Sequence, residues 1–224
     1  PSSTTMLDST QILELIAGLR QDTEPKCIDT AYTISKFGAK AVPALVKQLE
    51  DESEDIRRYA FCALSAVGEP AVNALITATQ HQDWWVRAGA AETLGNIGTS
   101  ARAAVPSLIQ ALQDKSERVR QLAAEALGTT SQKDSTAVPD LALSLQDENE
   151  RVRRNGVLAL ARLGPYAYQA VSVLQTVLGD NNRYVRGDAV HALRRIGTPE
   201  AREVLIQSLL KSRWCPLTSK ESAY

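Results

Sequence analysis

Little in this 224-residue chain marks a chemistry. Aromatic side chains make up 5% of it, and it has two histidines, three cysteines and one methionine. Cys27, Cys62 and Cys215 are odd in number, scattered and without CxxC spacing. That excludes a disulfide framework or thiolate zinc site and reads as reduced thiols in a cytoplasmic protein. Neither His81 nor His191 has an HxxxH companion, so no zinc ligand set or general base is visible. The chain also lacks a GxxxxGKS/T loop and a credible GxGxxG, the fingerprints of nucleotide binding. Catalytic residues, a cofactor and a metal are therefore not expected. Charge of one sign is missing too. With 25 basic and 26 acidic side chains the formal charge is -1, which gives no global drive towards nucleic acid or anionic membrane. No apolar run approaches the ~20 residues that span a bilayer. The opening PSSTTMLDST has neither the basic flank nor the apolar stretch of a secretory signal.

What the chain does have is a repeat. Val86-Arg87 in DWWVRAGAAETLGNIG returns at Val119-Arg120, Val152-Arg153 and Val185-Arg186, with an earlier copy at Ile56-Arg57. The branched residue stands at 56, 86, 119, 152 and 185, in steps of 30, 33, 33 and 33. A fixed period of this size predicts stacked two-helix units, which more often present a long binding surface than a catalytic pocket.

Counting the branched residue as position zero, small or apolar residues follow at +4, +8 and +11, as in Ala90, Leu94 and Ile97. That is one buried stripe of a helix. Three residues before zero stand Ser53, Asp83, Ser116, Asn149 and Asn182, all good N-caps. At +12 come Gly68, Gly98, Gly164 and Gly197, suited to a left-handed helix end. The third copy has Ser131 there, before a looser connection, TTSQKDST. A second helix precedes each of these, beginning at 41, 71, 104, 137 and 170, with Pro43, Pro106 and Pro139 in the first turn. One unit cannot bury both stripes, so neighbours must stack. The organisation expected is a flexible start over 1–10, one repeat array over 11–210 with five clear units and helical caps, and a tail over 211–224.

The pattern DxxxxVRxxAAxALGxIG followed by AVPxLxxxL resembles the HEAT-repeat superfamily, in particular its short-repeat branch of phycobilisome-lyase-like repeats. The resemblance covers roughly residues 10 to 210 and implies an all-α fold, a right-handed α-solenoid of HEAT-like two-helix repeats. That branch includes subunits that attach or detach bilin chromophores on phycobiliproteins, chaperone-like antenna factors, adaptors, and a partner of the iron–sulfur scaffold IscA. The resemblance therefore implies a protein partner, with a phycobiliprotein subunit or an IscA-type scaffold as candidates. It also implies heterodimer formation with a related repeat protein, as lyase chains of this kind show.

Repeat residues encode stacking, so function is sought on exposed faces. The arginines at +1 recur in phase with Asp51, Asp114, Asp147 and Asp180, five residues before zero. They read as a ladder bridging adjacent turns rather than as a basic ridge. Offsets +2, +6 and +9 lie farthest from the buried stripe, at about 200°, 240° and 180° around the helix, and are expected to form a concave trough. Small residues there, such as Ala88, Gly95, Gly128 and Ala161, would leave it smooth and open. The candidates along it are Arg58, Glu92, Glu125, Arg154, His191 and Arg194, with Arg162 and Arg195 at its edge. Cys62 faces the same trough and reads as inert.

Trp84-Trp85 is the sharpest departure, because other units carry charged residues at this corner. The pair is either a binding anchor, Trp being common among interface hot spots, or packing under a neighbouring turn. Tyr184 would extend the same edge. Tyr166 and Tyr168 read as inter-repeat packing. The tail indole Trp214, beside Cys215, reads as folding back over the last helix, with a docking peptide as the alternative. The function expected is a non-catalytic adaptor or chaperone-like scaffold, with a bilin-lyase subunit as the enzymatic alternative and iron–sulfur assembly as a further one. Nucleic-acid binding is disfavoured by the balanced charge.

Overall fold

The computed structural model describes residues 3–20 and 24–213. Thirteen α-helices and no strand occur among the described residues, and the backbone forms two compact units, Pro1–Gln132 and Lys133–Tyr224. The division falls within TTSQKDST, the connection that the missing glycine at position 131 sets apart. The tail residues Trp214 and Cys215 lie outside the described residues.

The first unit holds α1 (Ser3–Gly18), α2 (Glu24–Ser35), α3 (Val42–Lys47), α4 (Glu54–Val67), α5 (Val72–Ala78), α6 (Trp84–Ile97), α7 (Val105–Ala111) and α8 (Glu117–Thr130). Helix α1 begins at Ser3 and so takes in most of the segment expected to be a flexible start. Helices α2, α4, α6 and α8 form an inner row, with α5 behind α6 and α7 behind α8. The second unit holds α9 (Val138–Ser144), α10 (Glu150–Leu163), α11 (Val171–Val177), α12 (Arg183–Ile196) and α13 (Pro199–Arg213). There α10 packs on α12, with α9 and α11 behind them and α13 against α12.

The repeat stripe is the core. The +8 leucines, Leu64, Leu94, Leu127, Leu160 and Leu193, are completely buried, as are Ala60, Ala90, Ala123 and Ala189 at +4. In the fourth copy +4 is Gly156, where a methyl would come within 2.4 Å of Ser144 Oγ, so α10 sits directly on α9. The expected start prolines stand in the first turns of α3, α7 and α9. Capping is only partly as expected: Ser53, Asn149 and Asn182 accept helical N–H groups, whereas Asp83 and Ser116 do not. The turn aspartates share this work. Asp51, Asp114, Asp147 and Asp180 each accept the N–H two residues on.

Gly197 adopts the left-handed conformation expected after a helix. Gly68, Gly98 and Gly164 instead combine a φ of 57–76° with a ψ near -130°. Only glycine enters that region easily, and it swings the chain directly into the 3-10 turn that leads to the next outer helix. One such turn joins α10 to α11, so Glu150–Val177 is continuous and apolar enough over 18 residues, at a mean hydropathy of 1.2, to match a membrane span by length and composition. More than half of that window is buried inside the fold and its helix is kinked at Ala167, as befits core helices.

The inner row is less open than its small residues suggest. Ala88, Gly128 and Ala161 are themselves buried, although Ala88 and Ala161 still contribute to the floors of grooves. The reason is visible at Gly95, where an added Cβ would stand 3.0 Å from Ala126 Cα and where Thr129 Oγ1 donates to the Gly95 carbonyl at 2.9 Å. Small residues let α6 and α8 touch along their backbones, so they are contact residues of the stack. Tyr166 and Tyr168 are likewise mostly exposed; Ala167 and Ala170 fill the buried places of that turn instead.

Candidate functional site

The turns between helices carry the strongest polar interactions. Arg87 extends Nε and Nη2 to the two carboxylate oxygens of Asp114, at 2.6 and 2.8 Å, while its Nη1 donates to two carbonyls of its own turn. Arg153 does the same with Asp180, at 2.8 and 3.0 Å. Each guanidinium thus staples its own turn and the next one, which is the ladder expected from the in-phase spacing. Arg20 of the first helical pair contacts Asp51 in the same sense.

These pairs are well shielded, with 9–16% of each side chain exposed. Burial by itself would raise the Asp114 carboxyl, but the hydrogen bonds from Arg87 and the Ser116 N–H, with the charge of Arg87, outweigh it and hold the group below its usual range. For Asp180 the Arg153 hydrogen bonds are the dominant influence and the direction is the same. A carboxylate lowered in the folded state contributes stability that is complete above its unfolded pKa of about 3.9 and is lost as pH falls through the folded value. Urea unfolding midpoints should therefore be insensitive to these groups from neutral pH to about pH 5 and drop below about pH 4. The double variant Asp114→Asn/Asp180→Asn should show a distinctly shallower acid limb.

The ladder is interrupted at Arg57. Arg57 bonds its own turn through Nη1, to the carbonyls of Asp51 and Glu52 at 2.6 and 3.0 Å. The residue that should bring the next carboxylate is His81. Its Nδ1 accepts the Asp83 N–H at 3.1 Å, as the turn aspartates do for their own turns, and its Nε2 lies 3.0 Å from Glu50 Oε1. Among the described residues Arg57 has no carboxylate partner. Its guanidinium lies instead over the Trp85 ring, 5.4 Å from the centroid. This is the repeat with the short step of 30, whose 3-10 segment spans three residues (Glu69–Ala71) where the next spans seven (Gly98–Ala104).

Trp85 and Trp84 meet edge to face, with centroids 6.2 Å apart and planes at 82°. Both remain substantially exposed, Trp84 at 49% and Trp85 at 38%. They wall a groove of about 570 Å³ running between α4, α6 and α8, whose apolar lining includes Phe61 and Leu122. Phe61 lies across α6 at Gly89, where even a methyl would come within 2.2 Å of its ring. Arg57, Arg58 and Arg118 line the groove with Glu54 and Glu92, and exposed Cys62 opens into it. Of the residues singled out from sequence, Arg58, Trp84, Trp85 and Glu92 thus come together. Glu125 meets Glu92 in a smaller adjoining pocket. Arg58 is already engaged, by Asp55 at 3.1 Å and by the Tyr59 ring.

In the second unit Arg154 pairs with Asp188 at 2.7 Å and lies over Tyr184, which also receives Arg183. His191, Arg162 and Arg195 gather around a smaller groove with Leu158 and Ala161. Arg194 is exposed on α12. Among the described residues no cluster of three His, Cys, Asp or Glu side chains is placed to hold a metal ion. Sequence reasoning missed Arg57, Phe61 and Leu122. A histidine at 81, where four other turns carry aspartate, is the signal that could have found Arg57.

Comparison with known proteins agrees with this architecture. HEAT repeats match in overlapping segments, residues 42–105, 72–149, 105–167 and 138–216. No curated protein matches the chain. Among solved structures it is similar to a designed armadillo repeat protein in complex with the peptide (KR)4, at 19% identity and a TM-score of 0.59, over 84% of this chain and 98% of that one. It is also similar to the complex of CpcE and CpcF of phycocyanin lyase from Nostoc sp. PCC7120, at 24% identity and a TM-score of 0.51, over 95% and 89% of the two chains.

Proposed function

Because the chain belongs to the HEAT-repeat family, with matches running from residue 42 to residue 216, we propose that it is a non-catalytic adaptor that holds a partner protein on the inner helices of its repeats. The observation that carries this reading is the groove between α4, α6 and α8, where two indoles stand open at a corner that the other repeats fill with charge. Large exposed aromatics backed by a rigid helix are the usual anchors of protein interfaces. A repeat array of the same fold class holds a peptide in the designed armadillo complex, which supports the mode of binding though not the partner.

In its finer form the proposal names a phycobiliprotein subunit as the partner, following the resemblance of the repeat motif, and the chain acts in chaperone-like handling of that subunit. A related repeat protein as heterodimer partner belongs to the same reading. The test is gel filtration and calorimetry of the purified chain with apo-phycobiliprotein subunits, and separately with an IscA-type scaffold. A stable complex with the antenna subunit is the expected result. Binding to the IscA-type scaffold alone would move the adaptor to iron–sulfur assembly. Covalent bilin on the subunit, once chromophore and a related repeat chain are added, would show a lyase subunit instead. Binding to neither protein would overturn both named partners.

A further inference from the structure

The break in the ladder leaves a specific chemical gap. At Arg87 and Arg153 the Nε and Nη2 edge grips both oxygens of an aspartate, and Nη1 holds the local turn. Arg57 keeps the Nη1 bonds, but among the described residues no carboxylate meets its other edge, because an imidazole stands where the aspartate should be. Its guanidinium lies over Trp85, 5.4 Å from the ring centroid, which holds the fork beside the groove. A planar guanidinium held in this way is preorganised for a carboxylate arriving from outside.

We propose that the groove between α4, α6 and α8 docks an acidic segment of the partner, and that Arg57 grips a carboxylate of that segment in place of the ladder aspartate. The proposal rests on the adaptor reading and assigns its chemistry. The occupant is a peptide with Asp or Glu alternating with aliphatic or aromatic residues. Its carboxylate reaches Arg57, and the neighbouring apolar side chains lie on Trp84, Phe61 and Leu122. Charge supports the choice. Three arginines line the groove against Glu54 and Glu92, and Glu92 stands eight residues beyond Trp84, about 12 Å along α6. An entering segment therefore meets Arg57, Arg58 and Arg118 against Glu54 at the end where α4 and α6 begin, a balance of one positive charge over the whole lining that favours an acidic segment.

The experiment uses the full chain and three octapeptides of alternating Glu-Leu, Gln-Leu and Lys-Leu, with affinities measured by calorimetry. The Glu-Leu peptide is expected to bind about tenfold more tightly than the Gln-Leu one, the worth of a charge-assisted pair, and the Lys-Leu peptide more weakly than either. Arg57→Gln should erase the preference for Glu-Leu. His81→Asp is the sharper variant, because it supplies the missing ladder carboxylate within the chain. It should erase the same preference while leaving the unfolding midpoint unchanged or raising it. Equal binding of the three peptides, or a Glu-Leu preference that survives either substitution, overturns the proposal. Failure here with a phycobiliprotein complex still formed would leave the adaptor standing and remove only its acidic-segment chemistry.

Discussion

Asp180→Ala is expected to destabilise the protein by about 3 kcal/mol, the lower end of what removing one partner of a shielded ion pair costs. Asp180 accepts three hydrogen bonds, two from Arg153 and one from the Asn182 N–H, and only 9% of its side chain is exposed. Its loss strands a guanidinium that is itself 16% exposed, and frees the N–H that sets the turn before α12. Asp180→Asn retains an acceptor for that N–H and should cost less, on the order of 1–2 kcal/mol. Asp55→Ala provides the contrast. Its pair with Arg58 is open to water, 70% and 52% exposed, and should change stability by less than about 0.5 kcal/mol. Urea unfolding followed by circular dichroism checks all three. A loss at Asp180 no larger than at Asp55 would show that the ladder does not hold the stack.

The second large effect is on binding. Trp84→Ala/Trp85→Ala should weaken the partner complex about 100-fold or more while helicity and the unfolding midpoint are nearly preserved. Neither ring belongs to the buried stripe of the repeat, which in α6 is Val86, Ala90 and Leu94, so truncation leaves that stripe intact. The two rings do different work. Trp84 offers surface alone, whereas Trp85 also supports Arg57 from below, a contact worth about 0.5–2 kcal/mol depending on how well it is shielded. The single variant Trp85→Ala should therefore cost more affinity than Trp84→Ala, and should also blunt the preference for acidic segments. Parallel loss of binding and of folding would show instead that the indoles are structural.

Much of the architecture is legible in the repeat because it depends on contacts between near neighbours in the chain. The +8 leucines, the turn aspartates and the pairing of Arg87 and Arg153 with the next turn all follow from residues recurring in phase. The site was legible only in outline. Trp84 and Trp85 declared themselves by replacing charge, and both are exposed. The small residues at +2 and +9 misled, because sequence gives their angle around the helix but not the distance to the next helix. At Gly95 that distance is a backbone contact, so what looks like open floor is in part a seam between helices.

By itself the sequence determined the helical period, the fold family and the place where the repeat departs from its own rule. Those are properties of spacing, which every unit states again. Only the tertiary structure decided that Arg57 turns to Trp85 when its aspartate is replaced, that Phe61 lies over Gly89, and that Arg58, Trp84, Trp85 and Glu92 share one groove. Each joins residues of different helices, and whether such side chains meet is set by how closely the helices approach, a quantity that no periodicity contains.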